Sequence, residues 1–97
     1  MLTPDELDLL ATDLWDLICE RAQELAEADG TGRYDGFRGA MTAMLEVDAG
    51  IAQVTSRVTA RVDAAARQWG MSYAAIGAAR RQSKQAVQKR VAGVSRG

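Results

Sequence analysis

The chain has no histidine and a single cysteine, Cys19. The first absence removes the commonest general base and the commonest metal ligand together. The second excludes an internal disulfide and any cysteine-rich zinc cluster, and leaves Cys19 as a small hydrophobe on a helix. No apolar run approaches the roughly 18 residues that a membrane span needs. The first ten residues, MLTPDELDLL, are acidic and lack the basic start of a secretory signal. No nucleophile motif is present. These absences lead to the expectation of a cytoplasmic, non-enzymatic protein with no cofactor, no metal and no membrane partner. Ten of the 12 basic residues are arginine and alanine is abundant, a usage typical of a GC-rich bacterial genome.

A further absence is local. Residues 67–97 contain no acid but carry Arg67, Arg80, Arg81, Lys84, Lys89, Arg90 and Arg96. Residues 1–30 are the reverse, with nine acids against Arg21 alone, and residues 31–66 hold four charges of each sign. The net charge of −1 therefore hides an acidic head and a basic tail. Such a tail suits a polyanion. The 97 residues, 47% of them hydrophobic, suit one small folded domain whose modest core favours oligomerisation.

Thr3-Pro4-Asp5-Glu6 is a helix start: Thr3 caps, Pro4 suits the first helical position and Glu6 completes a capping box. Leu7, Leu10, Leu14, Leu17, Ile18, Ala22 and Leu25 recur at helical spacing, widened by Ala11 and Trp15, with acids on the other side. The spacing predicts a helix over about 4–28, ending at Gly30. GTGRYDG (30–36) is a loop. Its glycines are not a phosphate cradle, because no Gly-Lys-Ser/Thr follows and no strand precedes. Met41, Met44, Asp48, Ile51, Thr55, Val58, Val62, Ala65 and Trp69 then keep a three-four alternation, flanked by Leu45, Val47 and Val54. This predicts one long helix over about 36–69, with a kink or short break at Asp48-Ala49-Gly50 as its weak point, since an interior glycine costs about 1 kcal/mol. The helix 1 stripe is wider than one packing face requires. Leu10, Leu14, Trp15, Met44, Ile51 and Val58 are therefore the candidate dimer interface.

Gly70-Met71 breaks the long helix. Ser72 caps a third helix over about 73–80, and Ser83 caps a fourth over about 84–93, leaving GVSRG frayed. A short helix, a tight turn and a second helix describe a helix-turn-helix. Lys84, Gln85, Gln88 and Lys89 share one face of the fourth helix. Ala86, Val87 and Val91 face Ile76, Ala79 and the end of the long helix near Trp69. Lysine can donate to guanine O6 and N7, and glutamine can pair with adenine N6 and N7. Those four residues are the candidate base contacts. Arg67, Tyr73, Arg80, Arg81, Ser83 and Arg90 are the candidate phosphate contacts.

The stretch WGMSYAAIGAARRQSKQAVQKRV resembles the helix-turn-helix of small bacterial DNA-binding proteins and of sigma-factor region 4. Ser72, Tyr73, Ile76, Gly77, Ser83, Lys84, Gln85, Ala86 and Val87 carry the resemblance, which covers residues 67–93 only. It implies that the helix starting at Ser83 is a recognition helix for the major groove. The turn departs from the pattern: Arg80-Arg81-Gln82 stands where Leu-Gly-Val is usual. Either the arginines add charge toward phosphates, or the turn is looser, or the third helix runs further.

The expectation is thus an all-α chain: an acidic helical hairpin over 1–66 as dimerisation body, and a helix-turn-helix over 67–97. As a nucleoid-associated homodimer on double-stranded DNA, it would read a palindromic site and regulate transcription, most simply as a repressor. The alternative is an adaptor that binds RNA polymerase or another regulator through its acidic helices or its helix-turn-helix.

Overall fold

In the computed structural model, which describes residues 1–96, four helices follow one another: α1 (Pro4–Ala28), α2 (Gly36–Gln68), α3 (Tyr73–Arg80) and α4 (Lys84–Arg96). The fold is all-α, with no strand among the described residues. Among those residues no helix is long and apolar enough to cross a membrane. The chain falls into two compact units, Met1–Gln53 and Val54–Gly97. The second begins within α2, ahead of the boundary drawn at 66 from the sequence, because Asp63, Ala64 and Ala66 pack or bond with α3 and α4.

In the first unit α1 opens on the expected capping box. Thr3 Oγ1 accepts from the Glu6 N–H at 3.2 Å, and Glu6 Oε1 accepts from the Thr3 N–H at 3.0 Å. The Thr3 backbone and hydroxyl hold the Glu6 carboxyl below its ordinary value. The helix closes at Asp29, whose N–H donates to Leu25 O at 3.2 Å. The Asp29 carboxylate then accepts from the Thr31 hydroxyl and from the Arg33 N–H, which folds the loop back. That loop does more than turn. Tyr34 is buried with Ala22 and Ala43, and Leu25, Ala26, Met44 and Val47 pack around them. Its hydroxyl donates to a Glu46 carboxylate oxygen at 2.5 Å, and Arg33 pairs with the other oxygen. The hydrogen bond to Glu46 raises the Tyr34 pKa above its usual value, with burial adding to it.

Helix α2 is the one long helix that the spacing predicts. The helix runs unbroken through Asp48-Ala49-Gly50, so the cost of one interior glycine is too small to interrupt it. Its end is a Schellman cap: the Met71 N–H donates to Ala66 O at 3.1 Å, the Gly70 N–H to Arg67 O at 3.0 Å, and Gly70 takes φ 96°.

In the second unit Ser72 Oγ accepts from the Ala75 N–H at 3.0 Å, and Ser83 Oγ accepts from the Ala86 N–H at 3.1 Å. Both serines cap as the sequence predicts. Helix α3 ends at Arg80, so it does not run on into the turn. Arg81 occupies the left-handed region, φ 58° and ψ 43°. It adopts the conformation that a glycine would take more cheaply. Arg81→Gly should therefore stabilise the protein by up to about 1 kcal/mol, read from urea unfolding midpoints.

Ile76, Val87 and Val91 form the buried core of this unit, with Ala64, Ala66 and Tyr73 packed against it. The expected partners differ: Ala79 and Ala86 are exposed, and Trp69 is 90% exposed. Ala64 and Ala66 of α2 pack against this core, and the indole is left outside. Helix α4 reaches Arg96 where fraying was expected from 93, and Gly97 lies outside the described residues.

Candidate nucleic-acid interface

Ser83 fixes where α4 starts, and Val87 and Val91 fix which side faces inward. At 100° per residue, Gln85, Gln88, Lys89 and Ala92 then point away from the core. The structure agrees: Lys84, Gln85, Gln88, Lys89 and Ala92 are all exposed. Gln85, Gln88, Lys89, Ala92 and Gly93 line one open strip of surface. None of the side chains of Lys84, Gln85, Gln88 and Lys89 is hydrogen-bonded or ion-paired to another described residue. Three of the four candidate base contacts, Gln85, Gln88 and Lys89, therefore share one strip, Lys84 is exposed at the helix start, and all four side chains are unengaged.

The candidate phosphate contacts divide. Arg81 is exposed on the turn beside α4. Ser83 is exposed but committed as a cap. Arg67 donates to Met71 O at 3.0 Å, and its guanidinium lies 4.3 Å from the Tyr73 ring centroid. Tyr73 itself packs on the core. Arg80 and Arg90 are drawn to a residue that the sequence reading did not single out. Asp63, on α2, is 1% exposed. Its Oδ1 accepts from Arg80 Nε at 2.5 Å, and its Oδ2 accepts from Arg90 Nη1. Arg80 also donates to Thr59 O at 3.3 Å, and Arg90 to Gln82 Oε1 in the turn. A buried charge must be paired and hydrogen-bonded. Here one carboxylate has both oxygens occupied by guanidinium groups.

The candidate dimer-interface residues divide as well. Leu10, Leu14 and Trp15 are exposed, as is every residue from 1 to 17. Val58 is also exposed. Met44 is part of the Tyr34 core and Ile51 is half-buried.

The strip on α4 presents amide and ammonium donors with no acid beside them, which suits base edges and phosphates. No protein-family model, curated protein or solved structure matches the chain.

Proposed function

We propose that the protein binds double-stranded DNA through a helix-turn-helix made of α3, the turn 81–83 and α4, and that it regulates transcription by occupying its site. One observation carries this reading: the exposed and unengaged row Lys84, Gln85, Gln88 and Lys89 at the capped start of α4. A helix N-terminus adds outward N–H groups and a favourable dipole for a phosphate. Arg81, Lys84 and Lys89 then supply the backbone contacts.

The reading includes a homodimer. On α1, Leu7, Leu10, Leu14 and Leu17 continue the face that Leu25 uses against the Tyr34 core, yet they are exposed. Asp5, Asp16, Glu20 and Glu27 lie on the opposite side, so two such faces meet without bringing those acids together. A patch of this kind exceeds what single scattered apolar residues explain. With α1 and the start of α2 as a hairpin, a second copy covers it, and two reading heads meet successive major grooves about 34 Å apart. Leu14→Asp should leave a monomer; sedimentation or light scattering that still gives the wild-type mass would place the interface elsewhere.

Fluorescence anisotropy with duplex DNA across a salt series tests the function. Binding should weaken steeply with salt as counterions are released. Gln85→Ala or Gln88→Ala should cost about 1–3 kcal/mol on the preferred site and relax base choice there. Equal affinity of wild type and both variants for every duplex would remove α4 from the reading.

The exposed α1 also favours a second reading, an adaptor whose acidic, apolar helix engages another protein such as RNA polymerase. Failure to retain any DNA, together with co-purification of a protein partner, would select it.

A further inference from the structure

Three aliphatic side chains, Ile76, Val87 and Val91, hold α4 in the second unit. Aliphatic packing is non-directional. It fixes which side of a helix is buried better than it fixes the tilt or the axial position. A reading helix needs all three, because its side chains must meet base edges at hydrogen-bond distance.

The directional element is the Asp63 cluster. It ties three successive segments to a single turn of α2: Arg80 at the end of α3, Gln82 in the turn and Arg90 in the middle of α4. Among the described residues no buried side-chain nitrogen or oxygen lacks a partner, so the cluster is internally satisfied. If a phosphate recruited either guanidinium, the buried Asp63 carboxylate would lose half of its pairing.

We propose that Asp63 is the positioning residue of the reading head: it sets the attitude of α4 through Arg80 and Arg90, and it removes those two arginines from the phosphate-contact set. The inference rests on the DNA-binding reading. It leaves Arg81, Lys84 and Lys89 as the phosphate-contacting groups of this region, all exposed and with no side-chain hydrogen bond or ion pair to another described residue.

The test compares wild type with two variants. Asp63→Asn keeps the shape and frees both arginines. The triple variant Asp63→Met, Arg80→Met, Arg90→Met removes all three charges, an exchange that buried triads often tolerate without loss of stability. Duplex binding is measured across salt, on the site selected from random DNA and on unrelated DNA. The triple variant should keep the wild-type salt slope, and both variants should lose about tenfold or more in the ratio of specific to non-specific affinity. A slope lower by about 1.8 in the triple variant means two lost phosphate contacts and overturns the assignment of the arginines. An unchanged specificity ratio in both variants overturns the positioning role.

Amide hydrogen exchange decides the clamp without DNA. In Asp63→Asn, exchange at Val87 and Val91 should quicken about tenfold or more, while Ala43 in the first unit stays as in wild type. Unchanged exchange at Val87 and Val91 refutes the clamp. Wild-type protein that binds no duplex refutes the function instead, and the exchange result still judges the clamp.

Discussion

Asp63→Ala is expected to destabilise the C-terminal unit by about 3–5 kcal/mol, the range found when one partner of a buried ion pair is deleted. The methyl group of alanine restores neither oxygen, so the Arg80 and Arg90 guanidiniums lose their acceptor while remaining largely covered, with side chains 28% and 20% exposed. A small domain holds only about 5–15 kcal/mol in total. The loss should therefore appear as a large fall in the urea midpoint and as early loss of exchange protection in α4. The first unit, whose Tyr34 core shares none of these groups, should keep its protection. A midpoint within experimental error of wild type would mean that the pair is solvent-screened and that α4 is held by its aliphatic residues alone.

Gly77→Val should be the next most damaging change, at about 2–3 kcal/mol. A Cβ on Gly77 would stand 2.6 Å from the Gln82 carbonyl oxygen and 3.4 Å from the Ser83 carbonyl carbon. Both obstacles are backbone, so no rotamer change relieves them. The Gln82 N–H also donates to Gly77 O at 2.8 Å, which presses the turn onto α3. Valine must therefore push the turn away and move the Ser83 cap with it. Far-UV circular dichroism should show a lower thermal midpoint, and the Ala86 N–H, bonded to the Ser83 hydroxyl, should exchange faster. A glycine-like midpoint for the valine variant would show that the turn can lift off α3 at little cost.

The helix limits were legible because their signals are local. Thr3, Ser72 and Ser83 cap through their own hydroxyls, and the glycine at 70 ends α2 within the same few residues. The packing partners were not local, and size misled. The seam through Val58, Val62 and Trp69 is the conspicuous one, yet all three are exposed, while Ala22, Ala43 and Ala60 are buried. Close helix approach favours small side chains, and alanine contributes little to a hydrophobic pattern. Tyr34 was passed over because it stands in a glycine-rich loop, and nothing in its spacing reveals that it turns back onto Ala43.

Asp63 was hidden for a related reason. A carboxylate in a helix is ordinarily solvated, and its two partners lie 17 and 27 residues further along. The one available signal was an acid alone near the apolar positions Ala60 and Ala64, ahead of a tail with a surplus of arginine. The same surplus placed Arg80 and Arg90 among the candidate phosphate contacts, with nothing local to show that they pair with Asp63. The side chains of Gln85, Gln88 and Lys89 were easier, because opposition to Val87 and Val91 on one short helix is a matter of period alone.

The most direct test of the central claim, that the exposed face of α4 reads bases, is selection of bound fragments from random duplex DNA by the purified protein. The account predicts enrichment of an inverted repeat whose half-sites lie about one helical turn apart, with that enrichment lost in the variant Gln85→Ala, Gln88→Ala. Recovered sequences indistinguishable from the starting pool, from protein that is folded and dimeric, would contradict it.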